Sequence, residues 1–526
     1  MRGPEQRVTD PFPDGSGLPE RPLFAAALVL PLAALKLALH LAVNLLTPYG
    51  VHRDELLYLG MGRHLRIWEM DFPPAIALVA EISRMLLGDS LTAIRFFPAV
   101  FGCAVLVLAA LIARELGGGR VAQGLAALCV LTSPLFLRSA NLLQPVVMDQ
   151  LTWTAALYVL VRLCRGYGPR GWLLLGLVLG LGLLTKFSVA FIGVAIVVGL
   201  LLSPLRGALL TPWPWIGLAC ALVVGAPSLV GQLRLGFPVL AQMAELRESQ
   251  LERVTPVDFL FGQLLWGPAV LLALAGLYGL LVSPALRPFR VIGVTCAAAF
   301  LILLILQGKP YYAGPLYPTL FAAGGLLVER AARGLAAELL QVGAVAVLLA
   351  FAAGTLPLGV PILPPPMMAG YAQALGVEAA VRTNTGEVES LPQDYADMLG
   401  WEEQVEAVAR VYHALPAGQR ERAVVVAGNY GEAGALDFYG PKYGLPGVVS
   451  PAGSYWFFGP GERPGEVVIT IGISREDLRK FFDSVETAAT VSHPWAVSEE
   501  RRLVINIGTA PRTTLQELWP SLAGQN

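Results

Sequence analysis

An adjacent acid pair, Asp54-Glu55, follows the first long apolar run of this chain and sits beside a histidine and an arginine. The run covers 23–46, and the polar cluster then reads Val51-His52-Arg53-Asp54-Glu55-Leu56-Leu57-Tyr58. Charged side chains are costly in hydrocarbon, so such a cluster must sit where water, a headgroup or a substrate can meet it. Two carboxylates at a membrane surface point to chemistry on something the membrane delivers. Two lysines, Lys186 and Lys309, also interrupt apolar sequence and call for the same explanation.

The rest of the chain is built to place these groups in a bilayer. Of 526 residues, 55% are hydrophobic and only 14% charged, where a soluble domain carries about 25% charged. Mean hydropathy is +0.62. The net charge of −1 gives no global field for nucleic acid. Five cysteines, Cys103, Cys129, Cys164, Cys220 and Cys296, all fall in apolar runs without metal-ligand spacing and read as small core residues. Residues 1–22 are polar and rich in Pro and Gly, the composition of a disordered tail. The run after them is too long for a signal-peptide core, so it reads as a retained membrane helix, with Lys36 and His40 facing neighbouring helices or snorkelling.

Eleven stretches read as spans: 23–46, 92–113, 121–137, 148–163, 172–185, 187–204, 213–231, 263–282, 291–306, 312–328 and 336–357. The stretch 172–204 would be about 50 Å long as one helix, so it is divided at Thr185-Lys186-Phe187-Ser188. Arg114 and Arg120, then Arg162, Arg165 and Arg170, then Arg206, then Arg287 and Arg290, then Arg330 and Arg333 all fall in alternate loops. One side of the membrane collects them, and that side is expected to be cytoplasmic. The N-terminus is then inside, and the loop 47–91, Lys186, Lys309 and the C-terminal part are outside. Separated polar clusters converge on one face, as expected of a site at the outer leaflet.

Past Pro364-Pro365-Pro366 the composition turns polar, and 365–526 is expected to form a small extracytoplasmic α/β domain with its own core. Strand-like runs are Ala423–Ala427, Glu466–Ile471 and Leu503–Ile507; helical runs are Glu402–His413, Glu432–Tyr439 and Arg475–Phe482. Gly428-Asn429-Tyr430-Gly431-Glu432-Ala433-Gly434 joins a strand to a helix with neither Rossmann nor P-loop spacing. It reads as a tight turn with a helix cap, or as a substrate contact through Asn429 and Tyr430.

Several motifs in order carry a family resemblance. They are Arg53-Asp54-Glu55-Leu56-Leu57-Tyr58, Met70-Asp71-Phe72-Pro73-Pro74, Gly88-Asp89-Ser90 leading to Arg95, and Gln144-Pro145-Val146-Val147-Met148-Asp149. Leu184-Thr185-Lys186-Phe187-Ser188 and Gly308-Lys309-Pro310-Tyr311-Tyr312 with Pro315 and Tyr317-Pro318 complete the set. Over about residues 23–330 the chain resembles the bacterial membrane glycosyltransferases of family 39, the dolichyl-phosphate-mannose protein mannosyltransferase-like group that includes aminoarabinose transferases. The tail segment Leu391-Pro392-Gln393-Asp394-Tyr395-Ala396-Asp397-Met398 is similar to tails on shorter members. Two positions depart: Phe72 stands where many relatives carry Lys before the prolines, and His52 is not a general family feature.

The resemblance implies a mainly α fold of the GT-C type, a polytopic bundle of about eleven spans over 23–360 in the plasma membrane. It implies an inverting transfer of a sugar from a polyprenyl-phosphate donor to a hydroxyl of a lipid, glycan or protein. The acceptor hydroxyl is a poor nucleophile and needs a base, whereas the lipid phosphate leaves readily and needs cationic partners. Asp54 is then the expected base, with Glu55 supporting or replacing it. Arg53, Arg66, Lys186 and Lys309 are candidates for the donor phosphate. Asp71, Asp149 and Gln144 are candidates for sugar or acceptor contacts, although Asp71 and Asp149 could equally fix the external loop. Tyr311 and Tyr312 read either as ligand contacts or as interfacial belt residues. No His or Cys spacing implies a metal, though acids near phosphate could hold a divalent ion weakly. Two other classes compete: a transporter or flippase of a lipid-linked sugar, and a non-catalytic assembly or sensor subunit.

Overall fold

The computed structural model describes residues 18–331, 333–376, 381, 383, 386 and 388–523. The first half is helical throughout: α1 (Ala26–Leu46), α2 (Arg53–Arg63), α3 (Ala75–Leu87), α4 (Leu91–Ile94), α5 (Phe96–Glu115), α6 (Arg120–Thr132), α7 (Pro134–Ser139), α8 (Pro145–Cys164), α9 (Pro169–Thr185) and α10 (Val189–Leu201). It continues through α11 (Trp213–Val224), α12 (Ala226–Arg234), α13 (Pro238–Ser249), α14 (Pro256–Gly262), α15 (Ala269–Val282), α16 (Arg290–Ile305), α17 (Tyr317–Arg330), α18 (Leu335–Gly359) and α19 (Pro365–Leu375).

Among the described residues five helical segments are long and apolar enough to cross a bilayer, and up to eight if each sharply bent pair counts as one span. The remaining expected spans fall on shorter helices, α6 with α7, α9 and α17. The chain does break where the lysine interrupts it. Thr185 ends α9, Lys186 takes an extended backbone, and Val189 opens α10. Lys36 and His40 are fully buried on α1. Lys36 donates to the Phe136 carbonyl at 3.2 Å, and His40 pairs with Asn141 at 3.2 Å, so both face neighbouring helices. The expected disordered segment 1–22 lies mostly outside the described residues. Its last part, 18–22, is pinned to the bundle: Arg21 pairs with buried Glu115 at 2.6 Å and Arg165 donates to the Pro19 carbonyl. A buried carboxylate needs a cation, and Arg21 supplies one.

The tail carries one five-stranded sheet in the order β2-β1-β3-β5-β4, from β1 (Ala423–Ala427), β2 (Val448–Val449), β3 (Val467–Ile471), β4 (Phe482–Ser492) and β5 (Arg502–Pro511). The first three strands are parallel; β5 runs antiparallel to β3 and β4. The helix expected over Arg475–Phe482 stops at Leu478, and Phe482 opens β4 instead. That strand is mostly solvent-facing, so its apolar positions are too sparse to announce it.

One face of the sheet keeps a core within the tail, formed by Val424, Val426, Val468, Leu478, Phe482, Val485 and Leu515, and the other face is shared with the helical part. Leu56, Leu59 and Met61 of α2 and Ile76 and Ala80 of α3 share one apolar cluster with Trp401, Val405, Val425, Leu436 and Ile469 of the tail. The contact is backbone-close: a Cβ on Gly434 would lie 2.7 Å from the Leu56 carbonyl carbon. Burial of apolar area at about 25 cal/mol per Å² therefore locks the sheet onto the loop that carries the acid pair.

Candidate active site at the start of helix α2

The site begins with how α2 starts. His52 Nδ1 accepts from the Asp54 backbone N–H at 3.0 Å, and Glu55 reaches back to accept from the His52 N–H at 2.8 Å. This reciprocal cap satisfies donors that a helix start leaves open. It also puts both carboxylates at the positive end of the helix dipole.

Glu55 is then consumed by structure. It is fully buried against Arg95, which is equally buried; Arg95 Nε donates to Oε1 and Nη2 to Oε2, both at 2.8 Å. Leu143 N–H donates to Oε1 as well, at 2.8 Å. Burial alone would raise the Glu55 pKa, but the Arg95 charge and hydrogen bonds outweigh it and hold the carboxyl below its usual range. Arg95 also donates to the Gly50 carbonyl and to Asn44, so the pair ties α1, α2, α5 and the loop before α8 together. Both Glu55 oxygens are thus occupied by protein donors from His52, Arg95 and Leu143.

Asp54 is different. It is only half-buried, and each oxygen takes one hydrogen bond: Gln144 Nε2 donates to Oδ2 at 2.9 Å and the Tyr430 hydroxyl to Oδ1 at 3.2 Å. A carboxylate oxygen has room for about two acceptor bonds, so Asp54 is held in place while each of its oxygens keeps acceptor capacity.

Cations lie around it. Lys309, between α16 and the turn Pro310–Leu316, is lowered to about 8 by burial, against the upward pull of the Asp394 and Asp54 charges. Lys186, at the α9–α10 break, sits 4.6 Å over the Tyr312 ring, and Tyr312 packs edge-on against Tyr311 at 4.8 Å. Burial, the Tyr312 contact and the nearby acids Asp394 and Asp54 keep the Tyr311 hydroxyl protonated. Asp149, 5% exposed on α8, accepts from Ser188 at 2.8 Å and faces the Lys186 charge, so it orders that break.

Three expected residues sit elsewhere. Arg66 is exposed three residues beyond the far end of α2, a helix that rises about 14 Å from Asp54 to Arg63; the structure does not bring it to the cluster. Arg53 is committed to the tail, stacked over the Tyr430 ring at 4.7 Å and paired with Glu499 at 3.1 Å. Asp71 is 2% exposed and accepts from Ser454 at 2.8 Å and Gln242 at 3.2 Å, so it joins the loop to the tail and to α13. Both of these contacts hold the loop against neighbouring elements.

Sequence reasoning passed over Arg95, Asp394 and Asp397 as site residues. Arg95 had a signal, a charge at the head of an apolar span. The two aspartates came from the tail motif, whose placement only long-range packing decides. His52 Nε2 is buried and lies 4.0 Å from both Asp394 and Asp397.

These buried acids set a pH dependence. Burial raises Asp71 to about 6, and burial together with neighbouring Asp54 and Asp394 raises Asp397 to about 7 despite His52 and Arg53. Glu432 moves up too, through burial and the facing Glu500. A carboxyl whose folded pKa exceeds its unfolded value of about 4 binds its proton more tightly when folded, so stability rises as pH falls through the folded value. Glu55, shifted the other way, acts only below its ordinary range. The tail should melt at a higher temperature at pH 5.5 than at pH 8.5, followed by the far-ultraviolet or tryptophan signal; a melting temperature that rises with pH over this window contradicts the assignment.

Among the described residues no group of three His, Cys, Asp or Glu is placed to hold a metal ion.

Residues 71–230 match the family model for dolichyl-phosphate-mannose-protein mannosyltransferase. That segment includes Gln144, Asp149 and Lys186 and stops short of Asp54 on one side and Lys309 on the other. No curated protein sequence matches the chain. ArnT from Cupriavidus metallidurans bound to undecaprenyl phosphate superposes with a TM-score of 0.59 over 95% of this chain and 100% of that one, at 16% identity. Its apo state gives the same values. The oligosaccharyltransferase of Archaeoglobus fulgidus in the apo form gives 0.49 over 80% of this chain and 64% of that one, at 13% identity. The chain therefore has the fold of the GT-C membrane glycosyltransferases, and its residues 71–230 carry the sequence pattern of the mannosyltransferase family.

Proposed function

We propose that the protein is an inverting membrane glycosyltransferase that moves a sugar from a polyprenyl-phosphate donor to an acceptor hydroxyl on the outer side of the plasma membrane. The observation that carries this is Asp54: a carboxylate oriented by Gln144 and Tyr430, with acceptor capacity to spare, in the field of Lys309. A fold relative solved with undecaprenyl phosphate supports the donor class. The N-terminus is then cytoplasmic and the sheet domain outside, which follows from the Arg-bearing loops.

In the proposed step the acceptor O–H gives its proton to Asp54 while its oxygen bonds to the anomeric carbon. The bond from that carbon to the phosphate oxygen breaks, and the electron pair leaves on the polyprenyl phosphate. Attack opposite the leaving group inverts the anomeric centre and forms no sugar–enzyme bond. Lys309, with Lys186, holds the phosphate and takes up its growing charge. Asp149 and Ser188 keep Lys186 in place, with the Tyr312 ring beneath its ammonium and Tyr311 packed against Tyr312.

The Lys309 role has a pH signature. With a pKa of about 8, its ammonium is lost as pH rises past that value, so kcat/KM for donor should decline above pH 8. Lys309→Met should raise donor KM about ten- to a hundredfold, the worth of a hydrogen bond to a charged group. Lys309→Arg should abolish the alkaline decline; a decline that persists in Lys309→Arg removes the lysine from this role. The function itself is tested with purified protein in lipid nanodiscs and a panel of polyprenyl-phosphate sugars. A glycoside of inverted configuration is expected. Movement of the lipid-linked sugar across a vesicle membrane without any glycoside would instead make this a transporter.

A further inference from the structure

The tail ends its first parallel strand in a turn that reaches the acid of α2, and that turn is built unusually firmly. Asn429 Oδ1 accepts from the Gly431 and Glu432 backbone N–H groups at 2.8 and 3.0 Å. Glu432 returns to accept from the Gly428 and Asn429 N–H groups at 2.8 and 3.1 Å. Asn429 Nδ2 donates to Glu500 at 2.8 Å, and Gln404 donates to the other Glu500 oxygen at 3.0 Å. The cap is thus tied to the helix Trp401–Ala414 and to the segment before β5. A ligand contact through Asn429 is not available, because its side chain is spent on the cap. Its neighbour Tyr430 is the residue the turn presents. It points out of the carboxyl end of β1, the edge at which open parallel sheets place their functional groups.

Tyr430 meets α2 in two ways. Its ring lies beneath the Arg53 guanidinium, and its hydroxyl donates to Asp54 Oδ1 at 3.2 Å. Burial and the Asp54 charge hold that hydroxyl protonated, so it keeps the proton it donates to the carboxylate. Gln144 holds the opposite oxygen from the bundle side.

We propose that Tyr430 is a positioning residue for transfer, and that the soluble tail serves catalysis by delivering this one hydroxyl to the carboxylate of the membrane domain. Bonds from Tyr430 on one oxygen and from Gln144 on the other hold the carboxylate in orientation and leave each oxygen with acceptor capacity. The proposal rests on Asp54 being the base.

Tyr430→Phe keeps the ring under Arg53 and removes only the hydroxyl. In the purified full-length protein this variant should lower kcat about ten- to a hundredfold, with donor KM and melting temperature unchanged. Tyr430→Ala, which also loses the ring, should lower kcat further and reduce the melting temperature. Wild-type kcat in Tyr430→Phe overturns the proposal, as does a loss explained wholly by a raised KM or a lower melting temperature, since either marks a purely structural contact. Asp54→Asn is measured beside it. Full transfer by that variant removes the base and so fails the underlying reading. An inactive Asp54→Asn with a fully active Tyr430→Phe fails only the tyrosine's role.

Discussion

Asp54→Asn should lower kcat about 10²–10⁴-fold, the usual worth of a positioned general base, while donor binding and thermal stability stay near wild type. The substitution is close to isosteric. The α2 start is capped by His52 and Glu55, not by the Asp54 side chain, so the helix has no reason to fray. Tyr430 can still donate to the amide oxygen, and Gln144 can turn its own amide to accept from the new nitrogen. What disappears is the basic lone pair. Single-turnover rates with saturating donor, read beside equilibrium donor binding, separate the two effects. A variant that transfers at the wild-type rate would exclude Asp54 as the base.

The second large effect is on folding. Arg95→Met should destabilise the protein by about 3–5 kcal/mol, because it leaves the Glu55 charge buried without its partner. Glu55→Leu alone strands the guanidinium in the same way and also orphans the Leu143 and His52 N–H groups. The double variant, with neither charge, should recover part of the loss of Arg95→Met, since an apolar pair has no charge to desolvate. Unfolding midpoints in one detergent give the comparison. If both single variants are as stable as wild type, the pair does not hold the start of α2. Activity should fall in the single variants through misplacement of Asp54, which is one residue from the pair.

The residues differ in how far their placement could be read from sequence. Asp54, Glu55, Lys186 and Lys309 announced themselves because a charge interrupting apolar sequence must have a reason. The break at Lys186 followed from length and from charge, since one helix over 172–204 would overshoot the hydrocarbon and would put later Arg-bearing loops on the other side. Separating Asp54 from Glu55 needed coordinates: adjacent acids on one helix turn point in different directions, one toward Arg95 and one toward Gln144 and Tyr430. Arg66 looked like Arg53 in sequence, yet the length of α2 carries it away from the cluster. Arg53 itself was taken up by Glu499 and Tyr430, which lie more than 370 residues later. No local pattern encodes such a meeting. The same holds for the shared core, since 365–526 has apolar residues enough to suggest a separate domain, while its contact with α2 and α3 depends on which faces match. In the turn after β1 both sequence readings held a part: Asn429 makes the cap, and Tyr430 reaches out of it.

The most direct test is a cryo-electron microscopy structure of the protein in nanodiscs with undecaprenyl phosphate bound. The account requires the phosphate to touch Lys309 or Lys186 at hydrogen-bond distance, about 3 Å from nitrogen to oxygen, with space for a sugar between it and Asp54. Phosphate density on another face of the bundle, or against Arg66 with Lys309 and Lys186 untouched, would contradict it.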